Sequence, residues 1–182
     1  FALCETGRTS LRPSSLASIR AVTASLLIPG SKSFEAEKAG FLRADPRIAL
    51  FPVPASFAND PSVRPFETED NPLRFPTAVV VTSGGEEYGE APIRVMSGTS
   101  RYVEVQNSLA NVLFGSFSPS EGDLVFSMNG KLIGFMVSSG RALVLKEVAS
   151  GGEIGLGAAF DPARAAAVGA TLADRGDDTG AR

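Results

Sequence analysis

The chain has 182 residues, 17 basic against 20 acidic side chains and 43% hydrophobic residues. Charge this close to balance offers no field for nucleic acid or an anionic membrane, and the composition is that of a globular chain, not a disordered one. No apolar run approaches the roughly 18 residues of a membrane span.

There is no histidine and a single cysteine, Cys4. A Ser-His-Asp or Cys-His mechanism needs a base that titrates near neutrality, which histidine usually supplies, so both are excluded within this chain. A zinc site is not expected without imidazole and with one thiol, and no cofactor or other metal is expected. One cysteine allows no intrachain disulfide, and Cys4 reads as a small apolar residue or a thiol without an assisting base. The sequence opens on Phe1, and a processed or partial chain is the expectation.

In chain order, 1–18 reads as loop or short turn around Pro13. The run 19–28 (IRAVTASLLI) is rich in β formers and stops at Pro29-Gly30. The stretch 33–43 (SFEAEKAGFLR) carries helix-forming Glu, Ala and Lys, yet lies where a strand is expected. A strand follows Asp45-Pro46 over 47–53 (RIALFPV). Six prolines between Pro52 and Pro76 remove ladder donors, so this stretch is a connector, not sheet interior. Beyond it, 77–83, 91–97, 101–106 and 109–114 are short apolar segments separated by glycine turns, the spacing of a barrel or sandwich. Further strands are expected at 142–148 and 153–160. Asp161-Pro162 starts a helix, with an N-cap acceptor followed by Pro at N1, and Ala165, Val168 and Leu172 form its apolar face. A frayed tail is expected over 176–182.

The most informative stretch is 116–137, SFSPSEGDLVFSMNGKLIGFMV. Asn129-Gly130 between two apolar runs predicts a hairpin, with a type I′ turn that needs two residues tolerant of positive φ. A tight polar segment, Ser118-Pro119-Ser120-Glu121-Gly122-Asp123, precedes it. This stretch resembles trypsin-like serine peptidases, the bacterial HtrA-type most of all, which carry G-[DN]-S-G-[GS]-P-[LV]-V followed by N-G-x-[LV]-I-G. Residues 129–134, NGKLIG, set the register. The family's nucleophilic serine then falls on Glu121, Gly122 matches the glycine after it, Pro119 replaces the first glycine, Ser120 takes the Asp/Asn slot and Asp123 the second small residue. The run 47–53 resembles the strand that opens on the family's histidine-orienting aspartate, a position held here by Arg47. The resemblance covers roughly 19–175, most closely around the hairpin, with no PDZ-like segment after the helix.

It implies an all-β, trypsin-like two-lobe β-barrel with a C-terminal helix: an N-terminal β lobe over 1–60, incomplete or trimmed at its start, an interlobe linker over 61–76, a C-terminal barrel lobe with its helix over 77–175, and a tail. The triad positions hold Arg47 and Glu121, so no catalytic residue is expected. A proline at 119 also removes a donor from the oxyanion hole, which is built from backbone N–H groups. The implied function is that of a pseudopeptidase that binds a protein or extended peptide, or acts as a scaffold. Ser120, Glu121, Gly122 and Asp123 are its candidate binding residues, on a surface around 109–121 and the 138–141 loop. Strand addition in the cleft is one mode. Arg47 and Glu121 are candidates for an ion pair across that cleft.

Two alternatives stand beside this. One is a hydrolase using the Glu121 and Asp123 carboxylates, Ser120 with a lysine such as Lys131 or Lys146, or a base supplied by a partner. The other is a homo-oligomeric assembly module, since HtrA-type domains commonly oligomerise. An extracytoplasmic location is implied by the resemblance alone.

Overall fold

The computed structural model describes residues 2–6, 9, 11–28, 32–106 and 117–180. The segments expected at 109–114 and around Ser10 therefore fall wholly or partly outside the described residues. The chain divides into two compact units, one formed by Phe1–Pro65 with Val148–Arg182 and the other by Phe66–Glu147.

The first unit is built on a four-stranded antiparallel sheet. Its strands are β1 (Ala2–Glu5), β4 (Lys38–Leu42), β5 (Ile48–Phe51) and β12 (Ser150–Gly155), in the order β1-β5-β4-β12. A separate hairpin pairs β2 (Ser25–Ile28) with β3 (Lys32–Glu35), with Leu26 opposite Phe34. The strand expected over 19–28 thus forms only from Ser25 onward. The ambiguous 33–43 run resolves as strand. It breaks at Ala36-Glu37, where the Ala36 N–H donates to Ala24 O at 2.8 Å, and its second half buries Ala39 and Phe41 in the core. Pairing of β4 with neighbouring β5 and with distant β12 overrides the helix propensity of Glu, Ala and Lys.

The helix α2 (Pro162–Gly180) begins as its cap predicts. Asp161 Oδ1 accepts from the Ala163 N–H at 2.9 Å and the Arg164 N–H at 3.3 Å, satisfying donors that a helix start leaves orphaned. Ala165 and Leu172 are buried and Val168 is partly so. This face packs on a 3-10 turn over Pro13–Ser18 and on β12, and fully burying a side chain such as Leu16 or Leu172 contributes about 1.5–3 kcal/mol. The close approach needs a glycine: a Cβ at Gly169 would lie 2.7 Å from the Pro13 carbonyl oxygen and 3.0 Å from Leu16 Cβ. The division that put this helix with the C-terminal lobe is corrected here, since residues from Val148 onward belong to the first unit. The expected tail also begins too early, because α2 continues to Gly180.

The Pro-rich connector is irregular over most of its length, as its missing N–H groups require. It holds one helical turn, α1 (Ala55–Ala58), and a parallel bridge between Thr68 and Leu132.

The second unit is a closed barrel of six strands: β6 (Thr77–Val81), β7 (Tyr88–Val95), β8 (Tyr102–Val105), β9 (Leu124–Ser127), β10 (Leu132–Ser138) and β11 (Arg141–Val144). Two antiparallel meanders, β6-β7-β8 and β9-β10-β11, close on each other through β6–β9 and β8–β11 pairing. Alternation puts Ala78, Val80, Ala91, Ile93, Val125 and Met136 into its core. At Gly134 the β10 backbone comes so close to the Leu143 carbonyl that a Cβ would collide with it. The chain is therefore mostly strand, with one closed barrel; the sheet of the first unit is open among the described residues.

The 129–130 hairpin forms, with a different turn from the one expected. The Gly130 N–H donates to Ser127 O at 2.9 Å and the Ser127 N–H to Lys131 O at 2.8 Å. The tight turn is thus centred on Met128-Asn129, and only then does Gly130 take positive φ, at 81°. This is the three-residue loop that ends in a left-handed glycine, not a two-residue type I′ turn. Asn129 favours it by accepting the Lys131 N–H at 3.3 Å through Oδ1.

Candidate functional site

The segment 118–123 folds into a tight elbow in the second unit. Gly122 adopts φ 92°, a left-handed conformation open to glycine at little cost. The Gly122 N–H donates to Met136 O at 2.9 Å, and the Met136 N–H returns a bond to Asp123 O at 2.8 Å. The elbow is thereby stitched to β10.

Asp123 is 2% exposed. Its Oδ2 accepts from the Ser120 N–H at 2.8 Å and from the Ser120 hydroxyl at 3.3 Å, and its Oδ1 accepts from the Ser83 N–H at 3.2 Å. The carboxylate is buried because three donors converge on it, as a buried charge requires. Of the predicted binding residues, the structure brings Ser120 and Asp123 together, and Gly122 supplies the bend. Glu121 is half-buried, and among the described residues its side chain has no partner.

The elbow's donors are disposed of in turn. Pro119 has none, Ser120 gives its N–H to Asp123, Gly122 to Met136 O, and Asp123 to Ser120 O at 3.2 Å. An oxyanion site needs convergent donors aimed outward, and in this segment only the N–H groups of exposed Ser118 and of Glu121 are uncommitted among the described residues. The proposed serine–lysine dyad finds no support either. The Ser120 hydroxyl points to Asp123, and Lys131 Nζ pairs with Glu67 Oε2 at 3.3 Å on the surface.

In the first unit, Arg47 clasps Asp45, whose side chain is fully buried: Nη2 to Oδ2 is 2.6 Å, Nε to Oδ1 2.9 Å, and the Arg47 N–H to Oδ1 3.0 Å. The side chain expected to reach Glu121 thus has a carboxylate two residues away in its own unit. The Thr6 hydroxyl closes the group by donating to Arg47 O at 2.8 Å. Cys4 is an exposed residue on β1. Partial desolvation of its thiol first, and then the Glu5 carboxylate, raise its pKa above the usual thiol value, which disfavours the reactive thiolate.

The sequence reading missed Glu69, in the Pro-rich connector. Glu69 is 6% exposed. It accepts the Asn71 N–H at 3.0 Å and the Ser127 hydroxyl at 3.0 Å, directly beneath the hairpin turn. The Asn71 backbone donor, then Asn129 and Ser127, and finally the Lys131 charge hold its carboxyl below the usual glutamate value. No local signal marks it, since the pairing of 67–69 with Leu132 is long-range.

Among the described residues no group of three or more His, Cys, Asp and Glu side chains is placed to hold a metal, and no helix is long and apolar enough to cross a membrane. A groove of about 770 Å³ lies in the first unit, walled by Phe34, Pro52, Val53, Pro54 and Ile154 with Lys38 and Glu153 paired at 3.2 Å on its rim. It involves none of the predicted site residues. Compared with known proteins, the chain matches no family model, no curated protein and no solved structure.

Proposed function

We propose that this chain is a catalytically inactive trypsin-like domain, a pseudopeptidase that binds a protein or extended peptide through its elbow. The 116–137 resemblance supplies the class, and the closed six-stranded barrel that carries this hairpin is compatible with it. The observation that carries the reading is the Asp123 clamp. The carboxylate holds Ser120 by its N–H and hydroxyl, so the elbow is braced as a rigid polar bend and not armed as a nucleophile. Glu121, half-buried beside it, offers a carboxylate to a cationic or N–H-rich peptide. A closed barrel has no unpaired strand edge, so contact through elbow side chains replaces strand addition to this unit.

The test has two parts. A fluorophosphonate probe, with trypsin as positive control, should leave the chain unlabelled; labelling at Ser120 overturns the inactive reading. A peptide array read with the parent chain and Glu121→Gln should show binding that the substitution weakens. Binding that Glu121→Gln leaves unchanged removes the elbow as the recognition site.

A further inference from the structure

The Asn129 side chain lies at an exposed hairpin tip and is held by three neighbours. Its Oδ1 accepts from the Lys131 N–H at 3.3 Å and touches the Ser127 hydroxyl, whose single proton is shared among Oδ1, Glu69 Oε2 and Lys131 O, and its amide faces the Glu69 carboxylate. The Oδ1–Lys131 bond closes a ring that contains both Asn129 Cγ and the Gly130 nitrogen. Around Gly130 nothing lies within 4 Å of the place a Cβ would take, so the turn is open on that side.

We propose that Asn129 is a self-modification site that deamidates in the folded protein. The Gly130 nitrogen attacks Asn129 Cγ. A Gly130 N–Cγ bond forms, the Cγ–Nδ2 bond breaks, and ammonia leaves with the Gly130 proton, giving a succinimide. Water then adds to one of the two imide carbonyls and yields aspartate or isoaspartate at 129. Negative charge develops on Oδ1 in the first step, where the Lys131 N–H already points and to which the adjacent Ser127 hydroxyl can turn its proton from Glu69, a small-scale version of oxyanion stabilisation. Attack requires the Gly130 N–H to release Ser127 O, 2.9 Å away. With 128–130 all exposed, such an opening is among the least costly in the barrel.

The product alters the hairpin's support. A carboxylate at 129 adds a like charge beside Glu69 and removes the amide that donates to it. Isoaspartate also lengthens the backbone by one carbon between Ser127 and Lys131, whose mutual hydrogen bond fixes the register.

The full chain is incubated folded and, separately, unfolded in urea, at mildly alkaline pH. Peptide mapping by mass spectrometry then follows conversion, with isoaspartyl methyltransferase labelling to detect the iso form. In the folded chain Asn129 should convert at least about tenfold faster than Asn59, a difference of one rate decade in barrier terms. Ser127→Ala should slow this severalfold in the folded chain and leave the rate in urea unchanged. Retention of Asn129 in the folded chain while the unfolded chain converts it overturns the proposal, and so does an unchanged folded rate in Ser127→Ala. Should Ser127→Ala fail to fold by circular dichroism, the folded-against-urea comparison in the parent decides. Asn129→Asp should lower the barrel's melting temperature; a value at or above the parent's overturns the structural consequence.

Discussion

Replacing Asp123 tests whether the elbow is a brace. Asp123→Ala removes the acceptor of the Ser120 N–H at 2.8 Å and the Ser83 N–H at 3.2 Å. A hydrogen bond to a charged group contributes about 1.5–3 kcal/mol, and an orphaned buried donor costs about as much. Ser120 is half-buried, so its N–H carries most of the loss, while Ser83 is exposed and its N–H can turn to water, leaving about 1 kcal/mol there. The Ser120 hydroxyl, at 3.3 Å, rotates away at little cost. The sum is about 2.5–4 kcal/mol for Asp123→Ala, and about 1–2 kcal/mol for Asp123→Asn, which keeps one carbonyl acceptor. Tyrosine fluorescence during urea unfolding reads the right unit. The chain has no tryptophan and two tyrosines, Tyr88 and Tyr102, both within Phe66–Glu147, so unfolding of the first unit does not mask the signal. A group kept for chemistry would be neutral or stabilising to remove. A loss below about 1 kcal/mol in Asp123→Ala would refute the reasoning.

Gly134→Ala should prevent the barrel from closing, because its Cβ would meet the Leu143 carbonyl oxygen and backbone cannot yield as a side-chain tip can; loss of the tyrosine-reported transition checks this. Gly169→Ala should destabilise the first unit even though alanine is the better helix former by about 1 kcal/mol, because the Pro13 carbonyl lies 2.7 Å from the new methyl. A raised melting temperature by circular dichroism would contradict that. Glu69 has a folded-state pKa below its ordinary value of 4.5. Its contribution is therefore fully present above that value and is lost as pH falls through the lower folded-state one. An acid titration of barrel stability should show this loss in the parent and a shallower one in Glu69→Gln.

The features legible in the sequence are those whose cause is local. Asp161-Pro162 announces a helix start because the cap, the missing N–H and the fixed φ act within four residues. Asn129-Gly130 announces a hairpin for the same reason, yet the pair fits two turn types, and side-chain bonds from Asn129 and Ser127 select between them. Ala165, Val168 and Leu172 declare which face of α2 is buried but not what covers it, so the helix was assigned to the wrong unit. The burial of Asp123 is hidden in the sequence because one of its three donors, the Ser83 N–H, comes from forty residues away. Glu69 was hidden among prolines, and the Asp45–Arg47 clasp forms in the turn just before β5. The elbow's bend was visible in Gly122, whereas the fate of its N–H groups depended on β10.

The first unit is assembled from both ends of the sequence. β4 finds its partner β12 more than a hundred residues downstream, and the barrel between them is one unbroken stretch, Phe66–Glu147. During vectorial synthesis the barrel can emerge and close while the earlier strands still lack a neighbour for β4 and the helix that covers Leu16. Domains generally fold as units as they leave the ribosome, so here the middle of the chain is expected to fold before its beginning. A nascent chain stopped after Glu147 would carry a finished barrel behind an unfinished sheet with an exposed β4 edge, the kind of edge chaperones exist to cover.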